Sequence, residues 1–233
     1  MSREFAPVLG LIPAKHSSTR LPEKNIRPLG GRPLLGWAVD AARECGLLDR
    51  IVVSTEDERI ARVARECGAE TPFLRPPELA RDPAGVVQVA LHTLSALREQ
   101  GAEFRTLVIL LPTCPFRTAQ DIRDAFDLFR RADGSFLISV GPYPHTPFAA
   151  LQLAQDHRLQ PFFPQYWGKR SQELPVAWRP NGALHILEVA AFERAKSYTA
   201  QPLLGYPMPR ERSVDIDTEE DWREAERLLG QST

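Results

Sequence analysis

Apolar residues along this chain keep switching between two rhythms. Val8 to Ile12 is a continuous apolar run of strand length, read as a buried parallel strand. Leu34, Leu35, Ala38, Ala42 and Cys45 then fall at helical spacing and define one buried face. Arg50 to Ser54 returns to strand character. Thr55 and Glu58 have the spacing of a capping box, and the helix it predicts carries Ile60, Val63, Ala64 and Cys67 on one side. A further helix is marked by Val87, Leu91, Leu94 and Leu97, a third long strand by Thr106 to Leu111. Thr118 caps a helix bearing Ile122, Ala125, Phe126 and Phe129, and Ser135 to Val140 is a fourth strand.

Strands alternating with helices predict right-handed crossovers and a mainly parallel sheet, hence an α/β fold. The alternation stops at residues 142–180, which hold seven prolines and the aromatics Tyr143, Phe148, Phe162, Phe163, Tyr166 and Trp167. Two readings stand: a long ordered loop, or a protruding arm whose aromatics anchor another subunit. Ala183 to Leu187 restores a strand, and Leu203 to Tyr206 suggests one more. Thr218 opens a final helix with Trp222, Ala225, Leu228 and Leu229. The expectation is one unit spanning 1–233 with 142–180 as an insertion.

Composition narrows the function. The 233 residues carry a formal net charge of −1, so no global field attracts nucleic acid or an anionic membrane, and neither is an expected partner. Three cysteines, Cys45, Cys67 and Cys114, form no C-x-x-C, which argues against a disulfide framework or zinc site and for a reducing compartment. Met1 to Pro7 lacks signal-peptide form, and no apolar stretch reaches the ~20 residues needed to span a bilayer. A cytoplasmic protein is expected.

The candidate chemistry sits in loops. In open α/β sheets ligands bind beyond the carboxyl ends of strands. The first such loop, Leu11-Ile-Pro-Ala-Lys-His-Ser-Ser-Thr-Arg-Leu-Pro-Glu-Lys-Asn25, offers Lys15, Arg20 and Lys24 as cations and Ser17 and Ser18 as hydrogen-bonding groups for phosphate. It has neither the P-loop nor the G-x-G-x-x-G pattern. Far along the chain, Asp215-Ile-Asp217 sets two carboxylates on alternate residues, so that both can project to one side and share a magnesium ion. Taken singly, the first loop also reads as a solvated basic turn and the acids as helix N-terminal charges favoured by the dipole. Together they predict nucleotide chemistry, because a bound polyphosphate needs both.

Seven segments stand in the order found in bacterial CMP-sialic acid synthetases: Lys15 to Asn25, Gly31 to Leu35, Ile51 to Asp57, Leu74 to Leu79, Pro112 to Thr118, Arg179 to Ala183 and Asp215 to Thr218. Over nearly its whole length the chain resembles the acylneuraminate cytidylyltransferase family. The resemblance implies a three-layer Rossmann-like nucleotidyltransferase that is a homodimer with a protruding dimerisation arm. It implies attack by the anomeric hydroxyl of a nine-carbon 2-keto sugar acid, a nonulosonate, on the α-phosphorus of CTP. By match to its motifs, Lys15, Ser17, Ser18, Lys24 and Asn25 would bind the nucleotide; His16 and Arg20 join them by their place in the same loop, and Lys15, Lys24 and Asp217 are the expected catalytic residues. Arg75, Asp82 and Ala84 match the cytosine loop, Asp215 and Asp217 the Mg2+ ligands, and Arg170, Arg179 and Asn181 the sugar site, where Leu111 takes a further sugar-contacting position.

Two departures bear on the sugar. The family's first loop usually begins Ala-Arg, where this chain has Ala14-Lys15. Sialic acid enzymes carry glutamine before the Pro-Thr-Ser-Pro motif, where this chain has Leu111. Leucine makes no hydrogen bonds to a sugar, so the expectation moves from N-acetylneuraminate toward a sialic-acid-like nonulosonate. Arg170 to Pro175 and Phe73 to Pro76 are also similar to pseudaminic acid enzymes. Two other readings stay open: a glycosyltransferase, since Asp215-Ile-Asp217 is formally a D-x-D motif, and a non-catalytic nucleotide-binding homologue.

Overall fold

The computed structural model describes residues 5–18, 20–81, 83–132, 134–143 and 145–230. The first half runs β1 (Val8–Pro13), a short pair β2 (Pro28–Leu29) and β3 (Arg32–Pro33), α1 (Leu34–Glu44), β4 (Arg50–Ser54), α2 (Glu58–Glu66), α3 (Val86–Glu99), β5 (Thr106–Ile109) and α4 (Ala119–Arg131). The second half runs β6 (Phe136–Pro142), a small hairpin of β7 (Leu151–Leu153) and β8 (Leu159–Pro161), β9 (Trp178–Glu188), α5 (Val189–Ala195), β10 (Leu203–Pro207) and α6 (Glu219–Gly230).

Six strands form the main sheet in the order β10-β6-β9-β5-β1-β4. Pairing is parallel for β4 with β1, β1 with β5 and β10 with β6, while β9 runs antiparallel to both β5 and β6. The α/β sheet is therefore mainly parallel, as expected, with one reversed strand inside it. Alternation along β1 divides the core. Val8 and Ile12 face α1, α2 and α4, whereas Leu9 and Leu11 face α3 and α5. Both faces of the sheet are thus covered, which is why these strands read as unbroken apolar runs.

Local chemistry differs from expectation at one cap. The helix after β4 is capped by Asp57, whose Oδ1 accepts from the amides of Arg59 and Ile60, not by Thr55. Thr55 Oγ1 instead accepts from Asp57 N, two residues on. A carboxylate at the helix start also gains from the dipole, so Asp57 wins the competition between two candidate caps. Thr118 caps α4 as predicted, in a reciprocal box with Asp121.

The last helix matters most for function. Trp222 and Ala225 of α6 are buried against Leu21, Leu29 and Leu34, with Ile216 in the same cluster. Arg27 lies 4.1 Å over the Trp222 ring and grips Glu219 through two hydrogen bonds. Burying a side chain such as Trp222 contributes about 3 kcal/mol. That packing draws the carboxyl end of the chain onto the loop that follows β1.

Residues 142–180 leave the sheet on a ribbon. After a register shift between Ile138 and Val140, β6 and β9 continue paired through Gly141↔Arg179 and Pro142↔Trp178. The segment beyond holds three 3-10 turns and the β7–β8 hairpin, gathered around contacts of Phe148 with Phe163 and Tyr166. Leu153, Leu159, Phe162, Trp167 and Val176 are exposed there. Among the described residues no helix is long and apolar enough to cross a membrane.

Candidate active site

The loop after β1 is folded back on itself. Asn25 is buried and donates from Nδ2 to Lys15 O at 2.8 Å, tying the end of the loop to its start. Leu35 N donates to Asn25 O, which fixes the loop to the first turn of α1. Asn25 is thus a buried staple that holds the basic residues in place. Lys15 is left exposed at the mouth of a cleft, and Lys24 is half-buried within it.

The acidic segment meets this loop directly. Lys24 Nζ lies 2.7 Å from Asp217 Oδ1, and Arg20 Nη2 lies 2.7 Å from Asp217 Oδ2. Ile216 points into the core under α6, and its amide donates to Thr113 O. The carboxylates on either side of it, Asp215 and Asp217, both line the cleft. Burial opposes the charge of Asp217, but hydrogen bonds and charge from Lys24 and Arg20 outweigh it and hold its pKa below the usual range. Asp215 behaves oppositely. It keeps a solvent-facing side, yet the protein crowded around its carboxyl raises the pKa, and the charge of Asp217 adds to the rise against a Thr113 hydrogen bond. Two carboxylates that repel each other, one lacking an ion pair among the described residues, are a donor set suited to a hard divalent cation. The described residues contain no cluster of three or more His, Cys, Asp or Glu, so water or phosphate oxygens would complete such a shell.

The cleft has a volume of about 320 Å³ and sits over the carboxyl ends of β1 and β5. Lys15, Lys24, Asn25, Arg75, Ala84, Leu111, Asp215 and Asp217, all singled out in the sequence, line it together. Its apolar wall is Leu79, Val86, Val89 and Leu111. Arg75 is 3% exposed and is neutralised by Glu56, with Nη2 to Oε2 at 2.8 Å. Burial lowers the Arg75 pKa, and Glu56 works against that fall. Glu56 also accepts from the amide of His16 at 2.7 Å. This glutamate, not among the expected site residues, links the basic loop to the Arg75 loop. In the sequence it stood just beyond a strand end, inside the Ile51 to Asp57 segment that carries the family resemblance, but with no role attached.

Other expected site residues are turned elsewhere. His16 Nδ1 faces Asp57 at 3.2 Å, and Ser17 Oγ donates to Ala80 O. Ser18 Oγ accepts from Leu21 N at 3.4 Å. Asp82 lies outside the described residues. Arg170 is exposed on the 142–180 segment, away from the cleft lining. Asn181 is 2% exposed and committed inside the sheet. Its Oδ1 accepts from Ala183 N and Ser139 Oγ, and its Nδ2 donates to Ser213 Oγ at 2.9 Å. Here the register of β6 and β9 shifts, and the Asn181 side chain substitutes for missing ladder bonds. Gly182 follows with φ +74°, a left-handed conformation that favours glycine, and a Cβ there would meet Leu111 Cδ1 at 3.2 Å. The Arg-Pro-Asn-Gly motif is therefore the kinked floor of the site.

Beneath that floor are two silent groups. Cys114 is buried, donates to Asn181 O at 3.1 Å, and has its thiol pKa pushed up to about 12 by burial and by Asp215. Arg117, 2% exposed, donates to Leu111 O and Ala183 O, clamping the end of β5 to β9. A hollow of about 520 Å³ around Phe5, Arg98, Thr106 and Glu188 lies at the opposite end of the strands, where β5 begins, and shares none of these residues.

Comparison with known proteins identifies the family and the fold. The family model described as Cytidylyltransferase matches residues 9–133. CMP-N,N'-diacetyllegionaminic acid synthase of Legionella pneumophila subsp. pneumophila is 32% identical, covering 95% of this chain and 96% of that protein. Pseudaminic acid cytidylyltransferase of Campylobacter jejuni subsp. jejuni is 28% identical over 91% of this chain and 92% of its own length. A solved CMP:2-keto-3-deoxy-manno-octonic acid synthetase in complex with CTP shares the fold, with TM-score 0.72 at 13% identity over 97% of this chain and 99% of that one. The family match over more than half of the chain, with the full-length likeness to the Legionella protein, shows that this chain belongs to the cytidylyltransferase family.

Proposed function

We propose that this protein transfers CMP from CTP to a nonulosonate, giving the CMP-sugar and pyrophosphate. The observation that carries the reading is the meeting of Lys24 and Arg20 with Asp217 in one cleft of a cytidylyltransferase. The glycosyltransferase reading loses its support, because the family match takes in the basic loop and the Legionella relative alike over 95% of the chain is named a CMP-sugar synthase.

The sugar's anomeric oxygen attacks the α-phosphorus, the bond to the bridging oxygen breaks, and pyrophosphate leaves with the electron pair. Negative charge grows on the leaving group, so preplaced cations lower the barrier. Lys15 and Lys24 supply them from opposite parts of the loop, and Asn25 holds that loop's shape. The base end of CTP fits the strip formed by Arg75, Ala84 and Gly85. Asp215 and Asp217 would hold Mg2+, which when bound polarises the α-phosphate and acidifies a nearby hydroxyl. Lys24 would then pass from Asp217 to phosphate oxygens.

The sugar is best read as a sialic-acid-like nonulosonate. Leu111 gives the cleft an apolar wall where N-acetylneuraminate enzymes hydrogen-bond. The relatives named for legionaminic and pseudaminic acids support the same class. The decisive assay is pyrophosphate release with CTP, UTP, ATP and GTP across N,N'-diacetyllegionaminic, pseudaminic and N-acetylneuraminic acids. Selective turnover of CTP with one of them is expected. CTP binding without turnover of any would favour a non-catalytic homologue.

The working form is proposed to be a cytoplasmic homodimer. Three free, buried cysteines suit a reducing compartment. The apolar side chains exposed on 142–180, Phe162 and Trp167 among them, suit a subunit contact better than solvent. Sedimentation should give a dimer at micromolar concentration, and a fully active monomer would end that reading.

A further inference from the structure

Beside the cleft, and sharing Asp215 with it, lies a second hollow of about 630 Å³. Three arginines line it: Arg179, Arg210 and Arg227. Arg227 is spent on Glu224, with two hydrogen bonds at 2.8 and 2.7 Å. Asp221 is spent on the start of α6, where its Oδ2 accepts from Asp217 N, Thr218 N and Thr218 Oγ1. Among the described residues, Arg179 and Arg210 make no side-chain hydrogen bond or ion pair, and Arg179 Nε is buried without a partner. Glu211 lines the same hollow and the charge of Arg210 acts on Glu224, but the side-chain donors of Arg179 and Arg210 make no hydrogen bond among the described residues, and both stand next to a carboxylate of the proposed metal site.

We propose that Arg210 is a specificity-determining residue that, with Arg179, binds the carboxylate of the keto-acid substrate in this hollow. The inference rests on the cytidylyltransferase reading above. In a 2-keto acid the attacking anomeric hydroxyl and the carboxylate share one carbon. When that hydroxyl reaches the α-phosphorus, the carboxylate is brought close to Asp215 and the phosphates. Left alone it would add negative charge to an already acidic place. A guanidinium on the far side of Asp215 offsets that charge and fixes the orientation of the sugar.

The backbone presents both arginines from rigid positions. Arg179 stands on the β6–β9 ribbon opposite Gly141. Arg210 opens the short turn Arg210–Arg212, which is anchored by Arg212 on Asp121 at 2.9 Å and by Ser213 on Asn181. In the sequence Arg210 is one member of an ordinary charged run, Arg-Glu-Arg, which is why no motif marked it.

The test is steady-state kinetics of the full-length enzyme and its Arg210→Ala and Arg210→Lys variants, with N,N'-diacetyllegionaminic and pseudaminic acids and the methyl ester of the one turned over. Arg210 is exposed, so both variants should fold. Arg210→Ala should raise KM for the free acid roughly 10- to 100-fold while KM for CTP stays within about twofold, and Arg210→Lys should recover part of the loss. On the methyl ester, which lacks the charge, wild type and Arg210→Ala should converge. An unchanged KM for the acid, or equal losses on acid and ester, would overturn the Arg210 assignment alone. No turnover of any nonulosonate by the wild type would overturn the parent reading and this one with it.

Discussion

Lys24 Nζ and Asp217 Oδ1, separated by 193 residues of chain, meet at 2.7 Å. The contact exists because α6 packs its Trp222 on the loop flanking Lys24. Its meaning is electrostatic. Lys24 neutralises a carboxylate in a cleft where a bound divalent cation would otherwise do so. Asp217→Asn should therefore abolish magnesium-dependent pyrophosphate release, with a loss on the order of 1,000-fold in kcat. Asp217 is about one-third exposed, so the fold should lose about 1 kcal/mol or less. Turnover near the wild-type rate with an unchanged magnesium dependence would remove Asp217 from the metal site.

A second prediction concerns Glu56, the partly buried partner of the buried Arg75. Removing one member of a buried ion pair leaves the other charged and unpaired, at a cost of about 3–5 kcal/mol. Glu56→Gln keeps the shape but not the charge, and it also weakens the acceptor for His16 N. Denaturant melts should show the stability loss. A higher KM for CTP should accompany it, since both loops of the nucleotide cleft hang on this carboxylate. A variant as stable as the wild type would mean that water solvates the Arg75 charge instead.

The parts of the fold legible in sequence were those governed by period. Val8 to Ile12 and Thr106 to Leu111 read as strands because both faces of the sheet are covered. The reversed direction of β9 was not legible, because an isolated apolar run such as Ala183 to Leu187 carries no polarity. Within the site, charged residues near strand ends were visible, as Lys24, Arg75 and Asp217 show. Burial was not. Asn181 looks polar and available in the sequence, whereas its amide is consumed where the β6–β9 register shifts. Arg210 lay outside every motif, and Glu56 lay inside one without a role, since the importance of both comes from which other charges are already paired.

The Asn181 finding makes a third prediction. If its amide were a ligand for sugar alone, Asn181→Ala would raise KM and leave stability untouched. Its position between Ser139, Ala183 N and Ser213 says otherwise. Truncation leaves buried donors and acceptors unsatisfied, costing roughly 1–3 kcal/mol. A lowered melting temperature is expected, together with weaker activity with both substrates, because Gly182 and the anchored Arg210 turn would shift. A change in sugar KM with no loss of stability would reverse this assignment.

His185 gives the fold a pH dependence of definite sign. Its ring lies 4.8 Å from that of Tyr198, and its Nδ1 is buried without a partner. Burial pushes its pKa down to about 4, helped by the charge of Arg117 and opposed by a hydrogen bond with the Ile109 backbone. In the unfolded chain the imidazole returns to the ordinary value of about 6.5. Above that pH both states hold it neutral, and its contribution to stability is complete. As pH falls from about 6.5 toward about 4, the unfolded state takes up a proton that the folded state refuses, so stability declines, by at most about 3 kcal/mol. Asp215 acts in the opposite sense, since its raised pKa lets the folded state bind a proton first. Urea melts between pH 7 and 4 on wild type and His185→Gln isolate the histidine, because the carboxylates are common to both. The wild type should lose stability more steeply over that window. Parallel curves would show that His185 is protonated in the folded protein without penalty.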